Sequence, residues 1–310
     1  MRIWRRRLFG AALALVLCGA GVADARAEPV VAAAGDIACS PGHAAFNGGR
    51  GDGLRCGQAA TARLLYGGGY AAVLPLGDLL YPEPFLENFP SVYGATWGRL
   101  KGKTYPAIGN HEYWRGVAPG YFSYFNGRGR RDGRAGRRGL GWHSFDLGSW
   151  HLISLNANCS MVGCRGDSRQ LRWLRRNLRK HPNRCVLAYW HQPLFSSGVH
   201  GEDEPVRPFW RALYRAGADV VLNGHDHVYE RFAPQAPNGA ADRRRGIVQF
   251  TVGTGGRSLF GFTHRELNSR KRISGSFGIL RLRLGREGYG WRFIDVDRNT
   301  RDRGSRRCRR

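Results

Sequence analysis

The sequence predicts an α/β fold, a layered β-sandwich flanked by helices. Two observations lead there. Short apolar runs alternate with segments of helical periodicity as far as residue 222, the pattern of strands with covering helices. Beyond it the chain reads as strands, with a hairpin turn at 285–290 between the runs 279–284 and 291–296. Several of the apolar runs also stop at polar residues able to bind a ligand. In open α/β architectures, ligands gather outside the carboxyl ends of strands.

Taken in order, residues 29–34 are apolar and end at Gly35-Asp36. Residues 58–66 can form a helix, because Ala59, Ala62 and Leu65 lie near helical spacing. Residues 71–76 form a second apolar run ending at Gly77-Asp78, and 104–108 lead into Gly109-Asn110-His111-Glu112. Residues 150–155 read as a strand. Asp167-x-x-Gln170 has the form of a capping box, and Leu171, Leu174 and Leu178 make one apolar stripe behind it. A strand at 186–190 ends at His191. A helix at 209–214 follows, then a strand at 219–222 that runs into Gly224-His225-Asp226-His227. Residues 246–252 give a further strand. No repeat or Pro/Ser-rich linker divides the chain, so residues 28–297 read as one domain.

Two segments stand outside this pattern. Residues 127–141 are rich in arginine and glycine with no apolar face, and 298–310 form a basic tail. Each reads as a grip for a polyanion or as a mobile, solvated segment.

Residues 1–27 read as a signal peptide. Arg2, Arg5, Arg6 and Arg7 precede an apolar run too short to span a bilayer comfortably, and small-x-small sites follow at Ala23–Ala25 and Ala25–Ala27. The expectation is a secreted or periplasmic protein with no membrane span after cleavage. Cysteine usage agrees. Without Cys18 six cysteines remain, an even number in an oxidising compartment. Short spacing favours Cys39–Cys56 and Cys159–Cys164, which leaves Cys185 with Cys308. A zinc site is the rival, but no pair has CxxC spacing.

With 49 Lys+Arg against 23 Asp+Glu, the formal net charge is +26. A field of that sign attracts phosphate-bearing ligands and polyanions, nucleic acid included. Hydrophobic residues at 42% exclude a chain disordered throughout. The basic runs hold few aromatic rings, so stacking platforms for bases are not evident.

Each strand-end motif is weak alone, since Gly-Asp is a common turn dipeptide and a single His after a strand is often structural. Together they supply Asp36, Asp78, Asn110, His191, His225 and His227. By the period of two, His225 and His227 would share a face of an extended segment. This mixed oxygen and nitrogen set suffices for two adjacent metal ions, which can clamp a phosphate and activate water.

The blocks Gly35-Asp36, Gly77-Asp78-x-x-Tyr81, Gly109-Asn110-His111-Glu112, His191 and Gly224-His225-x-His227 resemble those of the calcineurin-like metallophosphoesterases. Many relatives carry Asp-x-His in the first block, where this chain has Asp36-Ile37-Ala38. Tyr81 stands in for the missing ligand, as in the purple acid phosphatase branch. The GDxVDRG block of the protein Ser/Thr phosphatases is absent.

The resemblance implies an acid phosphatase acting on phosphate esters by direct attack of metal-bound water or hydroxide. Asp36, Tyr81 and His227 would hold Fe(III), with Asp78 as the bridge. Asn110, His191 and His225 would complete a site for Fe(II), Zn(II) or Mn(II). His111 would serve the phosphoryl oxygens or the leaving alcohol, and His200, nine residues after His191, would face the substrate as well. Glu112 would orient His111 or a ligand. Two other readings stand beside this one: a phosphodiesterase or nuclease on the same scaffold, and a non-catalytic polyanion-binding protein.

Overall fold

The computed structural model describes residues 27–82, 85–114, 116–182 and 185–309. The signal peptide expected at 1–27 lies, Ala27 apart, outside the described residues. The chain opens with β1 (Val30–Ala34), β2 (Ala38–Cys39), α1 (Gln58–Leu65), β3 (Ala72–Pro75) and β4 (Leu80–Tyr81). It continues through α2 (Pro119–Asn126), β5 (His143–Leu147), β6 (Trp150–Ser154), α3 (Cys159–Val162), α4 (Arg169–Arg179) and β7 (Cys185–Tyr189). Then come α5 (Arg207–Ala216), β8 (Val220–Asn223), β9 (Tyr229–Phe232), β10 (Val248–Val252) and β11 (Ser269–Ile273). The last three strands are β12 (Gly278–Leu284), β13 (Gly288–Asp295) and β14 (Thr300–Arg307).

Two sheets face each other. One has the order β14-β13-β12-β1-β3, the other β11-β9-β10-β8-β7-β6-β5. The apolar runs read from the sequence become parallel strands, β1 with β3 at one end of the first sheet and β6-β7-β8-β10 within the second. Strands buried on both faces need near-continuous apolar sequence, which is why these runs lack alternation. Val31, Leu74 and Leu280 from one sheet meet Leu152, Leu187 and Phe250 from the other in the core between them. Leu171, Leu174, Phe209 and Leu213 of α4 and α5 cover the outer face of the larger sheet. Each such buried side chain contributes roughly 1.5–3 kcal/mol. Among the described residues, no helix is long and apolar enough to cross a membrane.

The structure departs from the sequence reading in four places. Helix α4 is capped by Ser168, whose Oγ accepts from Leu171 N at 3.3 Å, not by Asp167. Gln170 is buried instead and exchanges two hydrogen bonds with the Asn156 backbone, at 2.7 and 2.8 Å. Residues 104–108 form no full strand; they run parallel to β3 through the isolated bridges Val73–Thr104 and Leu76–Ala107, with Tyr105 N bonded to Val73 O at 2.9 Å and Ala107 N to Pro75 O at 2.8 Å. The described part of the expected tail, residues 298–309, is not a solvated segment. β14 pairs antiparallel with β13, and Asp302, facing inward, accepts from Tyr229, Arg231 and Trp291. Residues 127–141 form no regular element yet are anchored: the Asn126 amide bonds Gly136 O and Ala135 N, and Arg138 donates to the carbonyls of Gly127 and Arg130. The disulfides are those the spacing favoured, Cys39–Cys56, Cys159–Cys164 and Cys185–Cys308.

Candidate metal centre

The carboxyl ends of β1 and β3 in one sheet and of β7 and β8 in the other meet at one edge of the sandwich. Backbone bonds stitch them together: Asp36 N to Gly77 O at 3.1 Å, Gly224 N to His191 O at 3.0 Å, and Gly35 N to Val252 O at 2.8 Å. At each junction a residue enters the left-handed region, Asp36 (φ 59°), Asp78 (φ 49°) and His225 (φ 74°). Such conformations cost of order 1–3 kcal/mol each and persist where the surroundings over-determine them. Here they turn three polar side chains back over the strand ends. Gly109 is required by the packing, because a Cβ there would lie 2.1 Å from Asp78 Oδ1. Gly77 is required twice over: its φ is 89°, and a Cβ would fall 2.6 Å from His191 Nδ1.

Six of the residues singled out in the sequence converge. The Tyr81 hydroxyl lies 2.7 Å from Asp36 Oδ1, 2.8 Å from Asp78 Oδ2 and 3.4 Å from His227 Nε2. His227 Nε2 is 3.2 Å from Asp36 Oδ1, and His191 Nε2 is 3.2 Å from Asp78 Oδ2. His225 Nδ1 is 3.3 Å from His191 Nε2. Asp78 therefore stands between the Tyr81 group and the His191–His225 pair. His225 and His227 reach the cluster by a turn at 224–228, not as alternate residues of a strand, since β8 has already ended at Asn223. Asn110 is exposed at the rim, and His111 beside it donates its backbone N–H to Asp78 Oδ1 at 2.8 Å. His200 is exposed too, with its ring 4.5 Å from that of His225.

The electrostatics are those of groups crowded out of water. Burial pushes the Tyr81 phenol well above its ordinary range, and Asp36 and Asp78 push it further. Burial opposes charge on His191, but Asp78 and Asp36 outweigh it and hold its pKa up to about 10. Burial, then His191, lowers that of His225 to about 3. Burial also opposes ionisation of Asp36 and Asp78, yet the neighbouring histidines keep both carboxyls below the usual range. One phenolic proton cannot satisfy two carboxylates and an imidazole at once. This surplus of lone pairs in a buried space is the chemistry a cation satisfies, and the Asp36, Asp78 and His191 ligand atoms lie within 4.8 Å of one another. The residues present thus fit a metal centre.

The surrounding residues were only partly legible. Glu112 does not bind His111; its carboxylate accepts from the backbone N–H groups of Gly109 (2.7 Å), Asp78 (2.9 Å) and Leu79 (2.8 Å). Burial and the Asp78 charge push its pKa up to about 8, against those donors. Asp226 was passed over between its two histidines. Buried, it accepts from Ser196 Oγ and from His200 N, the latter at 2.9 Å, so it ties the His200 loop to the turn. Ser258 Oγ lies 2.7 Å from His227 Nδ1, Arg257 lies over the Tyr81 ring at 5.1 Å, and Phe260 stacks on His227. Their signal was present in the sequence: Gly253-Thr254-Gly255-Gly256 follows the 246–252 strand, another glycine run at a strand end.

The calcineurin-like phosphoesterase family model matches residues 31–229, and the chain belongs to that family. Several of the relatives it resembles are purple acid phosphatases. Purple acid phosphatase 21 of Arabidopsis thaliana is 34% identical over 153 residues, 46% of this chain and 34% of the relative. Human acid phosphatase type 7 is 28% identical over 224 residues, 61% of this chain and 49% of the relative. The chain thus spans half or less of these relatives' length. Among solved structures, the purple acid phosphatase PPD1 of yellow lupin (Lupinus luteus) seeds superposes with a TM-score of 0.64 at 19% identity, covering 89% of this chain and 53% of that one. GAP50, the anchor in the inner membrane complex of Plasmodium, gives 0.67 at 14% identity over 92% and 90% of the two chains. Likeness at these identities concerns the fold alone.

Proposed function

We propose that this chain is an exported, metal-dependent phosphomonoesterase of the acid phosphatase type with a dinuclear centre. The observation that carries the reading is the surplus of acceptors around the Tyr81 hydroxyl, set at the ends of four strands. Asp36, Tyr81 and His227 would hold a trivalent iron, Asp78 would be shared between the two ions, and Asn110, His191 and His225 would complete a site for divalent iron, zinc or manganese. Phenolate and carboxylate are hard anionic donors suited to the trivalent ion, and imidazole and amide suit the divalent one. The position of Asp78, within 3.2 Å of both Tyr81 and His191, supports the bridge. When bound, two such ions supply Lewis acidity toward the phosphoryl oxygens and acidify water.

The protein's own side chains do the rest. In the hydrolysis the ester P–O bond breaks, a P–O bond from water forms, and the proton released by water is balanced by one gained by the departing alcohol. His111, with Nε2 3.9 Å from Asp78 Oδ2 and its side chain 27% exposed, is positioned to give that proton or to bind a phosphoryl oxygen. His200 approaches from the other side, held by Asp226. Residues 28–297 act as one catalytic domain, which β14 completes at the sheet edge. Three disulfides support export to an oxidising compartment.

Asp36→Asn and His225→Ala should each abolish turnover of an aryl phosphate while far-UV circular dichroism stays unchanged; full activity in either variant overturns the assignment. Metal analysis should find two ions per chain with a visible tyrosinate charge-transfer band. A colourless two-zinc protein would leave a phosphoesterase and remove the iron. A strong preference for bis-aryl over aryl phosphate would make the chain a phosphodiesterase.

A further inference from the structure

The rings at the site form a continuous belt. Trp114 stacks on His111 (centroids 6.2 Å apart, interplanar angle 7°), and His111 lies 4.2 Å from Tyr81. Tyr81 is 6.1 Å from His227, which stacks on Phe260 at 4.2 Å and 4°. Phe260 in turn lies 5.8 Å from His200. The histidines and the tyrosine have duties in the reaction proposed above. Trp114 and Phe260, at the two ends, offer no donor or charge that the chemistry uses.

Exposed apolar surface gathers in the same loops. Trp114 is 58% exposed, Val117 67%, Val199 48% and Leu54 61%. Val199 precedes His200. Leu54 is tied to the His227 side, since its carbonyl accepts from Leu259 N at 3.1 Å and Arg55 bridges Ser258. Apolar side chains left in water at the mouth of a polar site lose nothing when a ligand covers them and gain when it is apolar.

We propose that the site takes phosphate monoesters whose alcohol carries an aromatic or comparable flat apolar group, received along the ring belt that runs from Trp114 to Phe260. The proposal rests on the phosphomonoesterase reading. The phosphate goes to the buried cluster, and the ring of the alcohol extends outward along the belt, where aromatic contact and water exclusion select it.

The test separates recognition of the ring from leaving-group chemistry. Phenethyl phosphate and ethyl phosphate release alcohols of the same kind and differ only in the distal ring. With the metal-loaded full chain, kcat/KM for phenethyl phosphate should exceed that for ethyl phosphate by roughly tenfold or more. In Trp114→Ala and Phe260→Ala that ratio should fall severalfold toward one, and Phe260→Leu covers the case in which the alanine variant does not fold. Equal turnover of the two esters overturns the proposal and leaves the phosphatase reading standing. So does a preference that survives in every variant. Turnover of neither ester overturns this proposal, and the phosphatase reading falls as well only if an aryl phosphate is also left intact.

Discussion

Removing Glu112 tests whether a buried carboxylate, and not a metal ligand, holds the catalytic loops in place. Its two oxygens accept three backbone N–H groups, from Gly109, Asp78 and Leu79, at 2.7–2.9 Å. These groups belong to two separate loops, and Glu112 itself is 2% exposed. In Glu112→Ala all three donors lose their partner. At about 1–3 kcal/mol for each unsatisfied buried group, less what entering water restores, the loss is about 3–5 kcal/mol. Glu112→Gln keeps one oxygen, which can serve Gly109 and Asp78 together, while its amide N–H₂ confronts Leu79 N–H. The cost there is about 1–3 kcal/mol. Urea denaturation of the two variants beside the parent chain would read these as shifts in midpoint at constant m. The order should be parent, then Gln, then Ala. A loss below about 1 kcal/mol in Glu112→Ala would refute the reasoning, because the three bonds would then contribute nothing net.

Further outcomes follow from other positions. Gly109→Ala places a Cβ 2.1 Å from Asp78 Oδ1, so Asp78 must move; metal content and turnover should both fall by more than tenfold while Tm changes by only a few degrees, and retained metal would contradict this. His143 is half-buried with its Nδ1 shut off from water, and desolvation pushes its pKa down to about 4, below the unfolded value of 6.5. The unfolded chain therefore takes up its proton first, so stability should fall by up to about 3 kcal/mol as pH drops from 6.5 to 4. In His143→Leu that part of the slope should vanish from a series of melts. The Cys185–Cys308 disulfide closes 123 residues and staples the end of β14 to the start of β7. The double variant Cys185→Ser, Cys308→Ser should be about 2–5 kcal/mol less stable than the parent chain, read by thermal denaturation, and an unchanged melt would contradict this.

The parallel strands and the blocks at their ends were legible in the amino-acid order alone. A strand buried on both faces must be apolar throughout, and the turn leaving it must carry Gly followed by a polar residue. Both signals are local, so Asp36, Asp78, Asn110, His191, His225 and His227 could be named, and Tyr81 followed from the resemblance. Tertiary structure alone decided what lies around them. β14 reads as a charged tail because an edge strand needs only one inward residue, here Asp302, to find partners, and its arginines face solvent. Glu112 was expected to orient His111 or a ligand and Asp226 was passed over, because the backbone N–H groups that reach their oxygens come from loops distant in sequence. The belt from Trp114 to Phe260 joins rings up to 146 residues apart in the chain, and no local pattern encodes that adjacency. Strand propensity and turn chemistry are properties of neighbours in sequence, whereas the shape of the site's mouth depends on which loops the two sheets bring to the same edge.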